Sequence, residues 1–136
     1  PSTFQALMND IFRGYLCKFV LVFFDDILIY SHNISAHLEH LEKVLAILQE
    51  HQLVINLKKC SFVQPRIEYL GHLISEQGIQ ADPKKVDSML NWPQPKNVRS
   101  LRGFLGLTGY YRRFVKNYGR IASPLTDLLK KEAFKW

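Results

Sequence analysis

Two adjacent aspartates, Asp25 and Asp26, are the residues of this sequence best suited to chemistry. They lie between two apolar runs, residues 18–24 and 27–30, whose β-branched and aromatic side chains predict a β-hairpin with the acids at its turn. A single aspartate at a turn is common, but two like charges on an apolar hairpin repel each other unless a cation neutralises them. Carboxylate oxygens on a rigid turn suit Mg²⁺, which completes its shell with substrate phosphates. Two such ions would serve an in-line phosphoryl transfer.

Zinc binding is the other metal chemistry that the residue types allow. The candidate ligands are His32, His37, His40, His51 and Cys60. His37 and His40 share one face of a predicted helix, but no second pair lies at ligand spacing. Histidines on exposed helix faces are common, so zinc is the weaker hypothesis.

The elements that position the aspartates can be predicted from periodicity and turn signals. One helix begins near residues 1–3 and ends at Gly14. Another extends from Ser35 to about His51, because its leucines and valine keep helical spacing. Short strands are predicted after residue 53, with Gly71 and Gly78 at turns. These strands are residues 62–63, 67–70, 72–74 and a segment around Ile79.

The rest of the chain is predicted to be helical. Asp82 and Asn97 are predicted to cap two helices, and Ser123 with the proline after it is predicted to start a third. Their predicted spans are residues 83–92, 98–115 and 124–131. With hairpins and helices in the first part and helices in the second, the predicted fold class is α+β.

The composition is that of an ordinary globular chain. It has 136 residues, 47% hydrophobic and 22% charged, which excludes disordered, collagenous and low-complexity proteins. The longest apolar run, residues 19–24, is too short to span a bilayer, and no leader predicts secretion. Two cysteines, Cys17 and Cys60, are too few for a disulfide framework, so we expect reduced thiols in an intracellular protein. The chain opens on Pro1 and stops at Trp136 without a polar tail, so we expect it to be a piece of a longer polypeptide.

Charge is distributed unevenly within the net +6 of the chain. Residues 1–82 carry six Lys and Arg and nine Asp and Glu, a formal charge of −3. Residues 83–136 carry twelve Lys and Arg and three Asp and Glu, a formal charge of +9. We interpret this as a division of labour in which one part carries carboxylates and the other meets a polyanion. A solvated basic face is the alternative, and charge alone does not decide between them.

The helix predicted over residues 98–115 has a distinctive face. Arg102, Gly106 and Tyr110 are spaced four residues apart and share this face. Each mid-helix glycine costs about 1 kcal/mol against alanine, so Gly103, Gly106 and Gly109 indicate close approach by a neighbour. That neighbour is either another helix or a nucleic-acid backbone, and the residues alone leave both open, although the basic residues that follow lie where phosphate contacts would be.

Four segments, in order along the chain, resemble the reverse transcriptases of Ty3/gypsy-type LTR retrotransposons. Residues 23–26, Phe-Phe-Asp-Asp, are similar to the Tyr-x-Asp-Asp signature of the catalytic hairpin, with Phe23 where many relatives have Tyr. Residues 1–5 resemble the start of a palm helix. Residues 68–72 resemble a primer-grip hairpin, and residues 101–114 a thumb segment. The resemblance covers essentially the whole chain.

This resemblance implies a partial polymerase palm, made of antiparallel hairpins with packed helices, over residues 1–82. It implies an all-helical thumb and the start of a connection over residues 83–136. Asp25 and Asp26 are then catalytic residues and ligands of two Mg²⁺ ions, with Mn²⁺ as an alternative. The other implied site residues are Phe4, Gln5 and Phe23 for template and substrate, Tyr69, Leu70 and Gly71 for the primer grip, and Arg102, Gly106, Tyr110 and Arg113 for the duplex.

The function implied is RNA-directed DNA polymerisation, in which deoxynucleotides are added to a primer 3′-hydroxyl by two-metal phosphoryl transfer. The implied partners are an RNA template, a DNA primer, their RNA/DNA hybrid, deoxynucleoside triphosphates and the rest of a Pol polyprotein, with its fingers, ribonuclease H and integrase. No membrane is implied, and the expected location is a cytoplasmic virus-like particle or the nucleus.

Such an enzyme uses three catalytic aspartates, and the first belongs to a strand upstream of the segment seen here. We therefore expect this chain alone to be inactive. Two alternatives stay open from sequence. One is a non-catalytic remnant that grips the primer–template duplex, and the other is a purely structural subunit.

Overall fold

The computed structural model describes residues 2–130 and 133–135. The chain forms two compact units, Pro1–Pro65 and Arg66–Trp136. The charge asymmetry predicts a different division, at Asp82 and Pro83, and the assignment of palm and thumb to its two sides stays a prediction. Within the described residues, no helix combines the length and apolar character that crossing a bilayer requires.

The first unit contains two helices and a hairpin. Helix α1 is Ser2–Ile11, strands β1 and β2 are Val20–Phe23 and Asp26–Ile29, and helix α2 is Ile34–Glu50. A single turn of 3₁₀ helix follows at Leu57–Lys59. The strands are antiparallel, so the predicted hairpin is confirmed. Both predicted helices are present, although α1 ends at Ile11 rather than at Gly14 and α2 begins at Ile34 rather than at Ser35.

A small apolar core holds these elements together. Its buried members are Met8, Phe12, Phe19, Val20, Val44 and Leu48. They come from α1, the segment that follows it, β1 and α2, so the base of the hairpin is anchored between the two helices. Burial of this kind is the main stabilising contribution in a small unit. The hairpin turn at the other end of the strands is exposed to solvent.

The second unit combines a three-stranded sheet with three helices. Strands β3, β4 and β5 are Arg66–Tyr69, His72–Ser75 and Gly78–Ala81, and they form an antiparallel sheet in sequence order. Helices α3, α4 and α5 are Pro83–Leu90, Val98–Tyr110 and Tyr118–Asp127. A turn of 3₁₀ helix, Arg112–Phe114, lies between α4 and α5. The α+β class is thereby confirmed.

Both predicted side-chain caps in this unit are present. The Asp82 carboxylate accepts a hydrogen bond from the Lys84 N–H at 2.9 Å, and Pro83 occupies the first turn of α3. Asn97 accepts from the Ser100 N–H at 2.9 Å, and the Ser100 hydroxyl makes the reciprocal contact of a capping box. Helix starts could be predicted well because capping is a local interaction.

Several predicted boundaries were wrong. Residues 62–63 do not form a strand, and Val63 has a φ of 50°, which a strand does not allow. Helix α3 ends at Leu90 rather than Trp92, since Pro93 disfavours helical backbone at the residue before it. Helix α4 ends at Tyr110 rather than at residue 115, because the chain tightens there into the separate 3₁₀ turn.

The last helix was also predicted wrongly. Helix α5 begins at Tyr118, so Pro124 lies inside it rather than at its start. Tyr118, Ala122 and Leu125 form a continuous inward face that extends the helix back past the proline. The predicted end at Lys131 lies outside the described residues.

Candidate functional site

The two aspartates lie at the tip of the β1–β2 hairpin. Phe23 pairs with Asp26, which leaves Phe24 and Asp25 as the two turn residues. Asp25 is therefore in the turn, whereas Asp26 is the first residue of β2. Phe24 has a φ of 50°, an uncommon backbone conformation for a bulky residue. The turn is strained in a way that surrounding contacts must offset.

One such contact comes from α1. The backbone N–H of Phe24 donates a hydrogen bond to Oε1 of Gln5, whose amide nitrogen donates to Oδ1 of Asn9 at 2.9 Å. Gln5 thus ties the first helix to the residue that precedes Asp25. Phe4, on the same turn of the helix, is 38% exposed.

Two aromatic rings flank the carboxylates. Phe23 and Phe24 make an edge-to-face contact with centroids 4.8 Å apart, and the two side chains are 48% and 39% exposed. Large exposed rings beside acidic groups are unusual on a free surface. The tip of the hairpin therefore has an exposed aromatic surface next to two anionic groups.

The carboxylates of Asp25 and Asp26 offer oxygen donors that suit a divalent cation. Both carboxylates are exposed, and neither has a hydrogen-bond or ion-pair partner in the described part of the chain. Oxygen donors with no competing cation fit the ligand preference of Mg²⁺. No group of three His, Cys, Asp or Glu side chains suited to a metal occurs among residues 2–130 and 133–135. Asp25 and Asp26 can therefore supply only part of a coordination shell.

The second unit holds the segment predicted as the primer grip. Tyr69 ends β3 and pairs with His72, so Leu70 and Gly71 form a two-residue turn. Their φ angles are 50° and 72°, and positive φ at both central positions is the pattern of a type I′ hairpin turn. The second position requires glycine for another reason, because a Cβ there would lie 2.6 Å from the Tyr111 hydroxyl.

Two neighbouring tyrosines at the end of α4 bind this turn. The Tyr110 hydroxyl donates to the Leu70 carbonyl at 2.8 Å, and the Tyr111 hydroxyl donates to the Gly71 carbonyl at 2.8 Å. The Gly71 carbonyl also accepts from the Asp82 N–H at 3.2 Å. The carbonyls of the two turn residues therefore each accept a hydrogen bond from a tyrosine hydroxyl.

An aromatic cluster surrounds the same turn. The His72 ring lies 5.2 Å from Tyr110, 5.5 Å from Tyr111 and 5.7 Å from Phe114, measured between centroids. Tyr111 is 3% exposed. Burial raises the pKa of its hydroxyl, and the nearby Tyr110, Asp82 and Glu68 add to that effect, so the group stays a protonated donor at neutral pH.

The face of α4 predicted to meet the duplex is open. Arg102, Gly106 and Tyr110 are all exposed, and a Cβ at Gly106 would meet no atom within 4 Å. The other two helix glycines differ. A Cβ at Gly103 would lie 3.6 Å from Trp92, and one at Gly109 would lie 3.7 Å from the Tyr118 hydroxyl. Gly103 and Gly109 therefore lie against side chains of this unit, as the packing alternative predicts. Gly106 faces solvent, which leaves it open to a nucleic-acid backbone.

Arg113 lies apart from that face. It belongs to the 3₁₀ turn after α4 and is exposed, with its guanidinium 5.3 Å from the centre of the Phe114 ring. The basic group is therefore displayed next to the aromatic cluster that surrounds the Leu70–Gly71 turn.

Three of the histidines considered for zinc, His37, His40 and His51, have other partners. The Ser31 hydroxyl contacts Nδ1 of His40 at 2.7 Å and Nδ1 of His37 at 3.3 Å. His40 also stacks on Phe19 with centroids 3.8 Å apart, and Nδ1 of His51 contacts the Ile47 carbonyl at 2.9 Å. The contacts of His37 and His40 join α2 to Ser31 and Phe19, and the contact of His51 lies within the C-terminal end of the helix.

Comparison with protein families identifies the chain. The family model of reverse transcriptase (RNA-dependent DNA polymerase) matches residues 1–74, which include α1, the carboxylate hairpin and the Leu70–Gly71 turn. The chain belongs to the reverse transcriptase family. Its relatives place it among retrotransposon sequences. It is 43% identical over 131 residues to the Pol polyprotein of transposon 297 of Drosophila melanogaster, covering 96% of this chain and 12% of the relative.

Two further relatives match most or all of this chain. A Tf2-3 transposon polyprotein of Schizosaccharomyces pombe is 39% identical over 100% of this chain and 10% of its own length. An uncharacterized mitochondrial protein of Arabidopsis thaliana is 60% identical over 101 residues, which are 73% of this chain and 64% of that protein. This reverse transcriptase segment thus corresponds to about a tenth of the polyproteins it matches.

Solved structures of similar fold are reverse transcriptases too. A foamy viral protease-reverse transcriptase in complex with double-stranded DNA matches with a TM-score of 0.85 and 31% identity, over 95% of this chain and 22% of that one. The same viral protein in complex with an RNA/DNA hybrid matches with a TM-score of 0.81, over 95% of this chain and 17% of that one.

Sequence reasoning missed three features of this family member. It did not predict the Gln5–Phe24 bond, the two tyrosine bonds to the turn, or the place of His72 in the aromatic cluster. The Tyr110 and Tyr111 pair was noticed, but as a surface for bases and sugars. The available signal was the strand–Leu-Gly–strand pattern, which predicts a turn but not what holds it.

Proposed function

We propose that this chain is part of an RNA-directed DNA polymerase that adds deoxynucleotides to the 3′-hydroxyl of a primer. The observation that carries the proposal is the Asp25–Asp26 pair. It lies exposed at the tip of a hairpin within the segment that matches the reverse transcriptase family. Solved structures of similar fold that contain double-stranded DNA or an RNA/DNA hybrid support nucleic acid as the partner.

Asp25 and Asp26 would hold divalent cations at the hairpin tip, with Asp25 the more direct ligand. Two Mg²⁺ ions, or Mn²⁺ in their place, would stabilise charge on the reacting phosphate and its oxygens. The protein residues contribute position. Gln5 bonds the turn, Phe23 and the exposed Phe4 would contact template and nucleotide, and the exposed hairpin would keep both carboxylates accessible to a primer end.

The second unit would bind the primer–template duplex. Tyr69, Leu70 and Gly71 would contact the primer near its 3′ end. Arg102, Gly106 and Tyr110 would meet the duplex along the open face of α4, and Arg113 would add a phosphate contact. The excess of basic residues after residue 82 supports this role, because phosphate neutralisation supplies most nonspecific affinity.

The complete activity would need residues beyond this segment. We infer that a third carboxylate, the fingers, a ribonuclease H and an integrase are supplied by the rest of a Pol polyprotein, and that deoxynucleoside triphosphates are the substrates. The isolated chain would then bind nucleic acid without extending a primer. A virus-like particle in the cytoplasm, or the nucleus, would be its site of action.

A second candidate function is that of a non-catalytic remnant that grips a duplex. One observation favours it. The matching segment makes up 64% of a mitochondrial protein of Arabidopsis thaliana, so such a segment also occurs outside a polyprotein. In that case Asp25 and Asp26 would have no catalytic role.

A chimera separates the two candidates. Residues 1–136 replace the aligned segment of the transposon 297 polymerase, which is 43% identical to them, and extension of a DNA primer on an RNA template is measured with Mg²⁺. Extension that is lost in Asp25→Asn supports the polymerase proposal. A folded chimera that binds the hybrid but does not extend it supports the remnant.

A further inference from the structure

We propose that Tyr110 and Tyr111 are positioning residues that fix the Leu70–Gly71 turn in the shape that contacts a primer end. This inference rests on the proposed function, since it assigns the turn to the primer. It adds the last residue of α4 and the residue that follows it to the machinery that holds the primer, and it gives them one defined role.

The turn is strained and needs outside support. Leu70 has a φ of 50°, which costs a residue with a Cβ about 1 kcal/mol or more. Here consecutive carbonyls each accept a hydroxyl at 2.8 Å from consecutive tyrosines, so the backbone orientation of both turn residues is defined by α4.

The two tyrosines have different surroundings. Tyr111 is 3% exposed, and its hydroxyl lies 2.6 Å from the position that a Cβ of residue 71 would take, so it fits a turn with glycine there. Tyr110 is 53% exposed and shares the open face of α4 with Arg102 and Gly106. Its ring is therefore available to a duplex on that face while its hydroxyl holds the Leu70 carbonyl. Nucleic acid bound along α4 would contact the residue that orients the primer turn.

The test compares the affinities of the chain for two RNA/DNA hybrids that differ only at the primer 3′ end. The wild-type chain, Tyr110→Phe, Tyr111→Phe and the control Tyr118→Phe are titrated with two fluorescent RNA/DNA hybrids, one with a recessed primer 3′ end and one blunt. Tyr118 is a matched control, because its hydroxyl is also hydrogen-bonded, at 2.8 Å, but to Thr108 of α4 rather than to a carbonyl of the turn. Circular dichroism and urea unfolding establish that each variant is folded.

We expect the wild type and Tyr118→Phe to prefer the recessed end. Tyr110→Phe and Tyr111→Phe should lose about three- to tenfold of that preference, which is the ratio of the two affinities, as the loss of one hydrogen bond would allow. Faster amide exchange at residues 70–72 should accompany the loss. If Tyr111→Phe does not fold, the exposed Tyr110→Phe decides the question alone.

Three results overturn the inference, and they differ in whether the proposed function survives. A folded Tyr110→Phe variant that keeps the full preference, or a wild type that binds both hybrids equally, contradicts the positioning role and leaves nucleic-acid binding intact. A folded wild type that binds neither hybrid contradicts the proposed function itself and removes the inference with it.

Discussion

The side-chain oxygen of Gln5 accepts a hydrogen bond from the backbone N–H of Phe24, so the first helix supports the turn that carries Asp25. The two residues are 19 positions apart, and their bond joins α1 to the tip of a hairpin whose base is anchored in the core. Phe24 has a positive φ, so the bond stabilises a backbone conformation that its own sequence disfavours.

Removing this bond should lower stability. Gln5→Ala leaves the Phe24 N–H without its protein partner, and we expect the free energy of unfolding in urea to fall by about 1 kcal/mol. Gln49→Ala is the matched control, because it makes the same change on the exposed side of α2, and it should stay within about 0.5 kcal/mol of wild type. Equal effects of the two substitutions would show that the bond does not support the turn.

The close approach of Tyr111 to Gly71 predicts a coupled pair of substitutions. Gly71→Ala introduces a Cβ at a φ of 72° and 2.6 Å from the Tyr111 hydroxyl, so it should destabilise the chain by about 2 to 3 kcal/mol in urea unfolding. Tyr111→Phe removes the clashing oxygen. In its background the cost of Gly71→Ala should fall to about 1 kcal/mol, the cost of the backbone strain alone. Additive effects in this double-mutant cycle would contradict the geometry of the turn.

Gly106 should show opposite effects on stability and binding. Gly106→Ala adds a good helix former where no atom lies within 4 Å, so the free energy of unfolding should rise by about 1 kcal/mol. The same methyl group would separate a nucleic-acid backbone from α4 and weaken hybrid binding by about fivefold. Gly119→Ala, also in open space on α5, is the control and should not change binding. Unchanged binding by Gly106→Ala would mean that this face does not touch the duplex.

The carboxylate hairpin can be tested without catalysis. Mn²⁺ added to the ¹⁵N-labelled chain should broaden the amide signals of residues 24–27 first, because Asp25 and Asp26 are exposed and unpaired among the described residues. Asp25→Asn should raise the Mn²⁺ concentration needed by about tenfold or more. Asp87→Asn on α3 should have no effect on these signals. Broadening centred elsewhere, or unaltered by Asp25→Asn, would contradict a cation site at the hairpin.

The sequence predicted the local parts of this fold and not the contacts that join them. Asn97 and Asp82 could be identified as caps because their partners lie within three residues. Pro124 was misread as a helix start, since a proline is acceptable there and only the inward face beginning at Tyr118 shows that the helix starts earlier. Periodicity reports which residues share a face of one element, but not which other element that face meets.

The candidate site shows the same limit. Asp25 and Asp26 were found from residue type and flanking runs, and the structure confirms their hairpin. The bonds from Tyr110 and Tyr111 to the turn join residues 40 positions apart and depend on how α4 packs on the sheet. No local sequence pattern shows how α4 packs on the sheet. Leu70 also departs from the preference of such turns for Asn before Gly, so the turn residues themselves do not predict this conformation.

The most direct test is the salt dependence of hybrid binding. The affinity of the chain for an RNA/DNA hybrid is measured by fluorescence anisotropy over a series of salt concentrations, for wild type, Arg102→Ala and Lys43→Ala, the last an exposed cation of α2. We predict that log Kd rises linearly with log salt concentration, and that Arg102→Ala weakens binding and lowers the slope by about 1, while Lys43→Ala changes neither. A folded chain that does not bind the hybrid, or an Arg102→Ala slope equal to wild type, would contradict the assignment of α4 to the duplex.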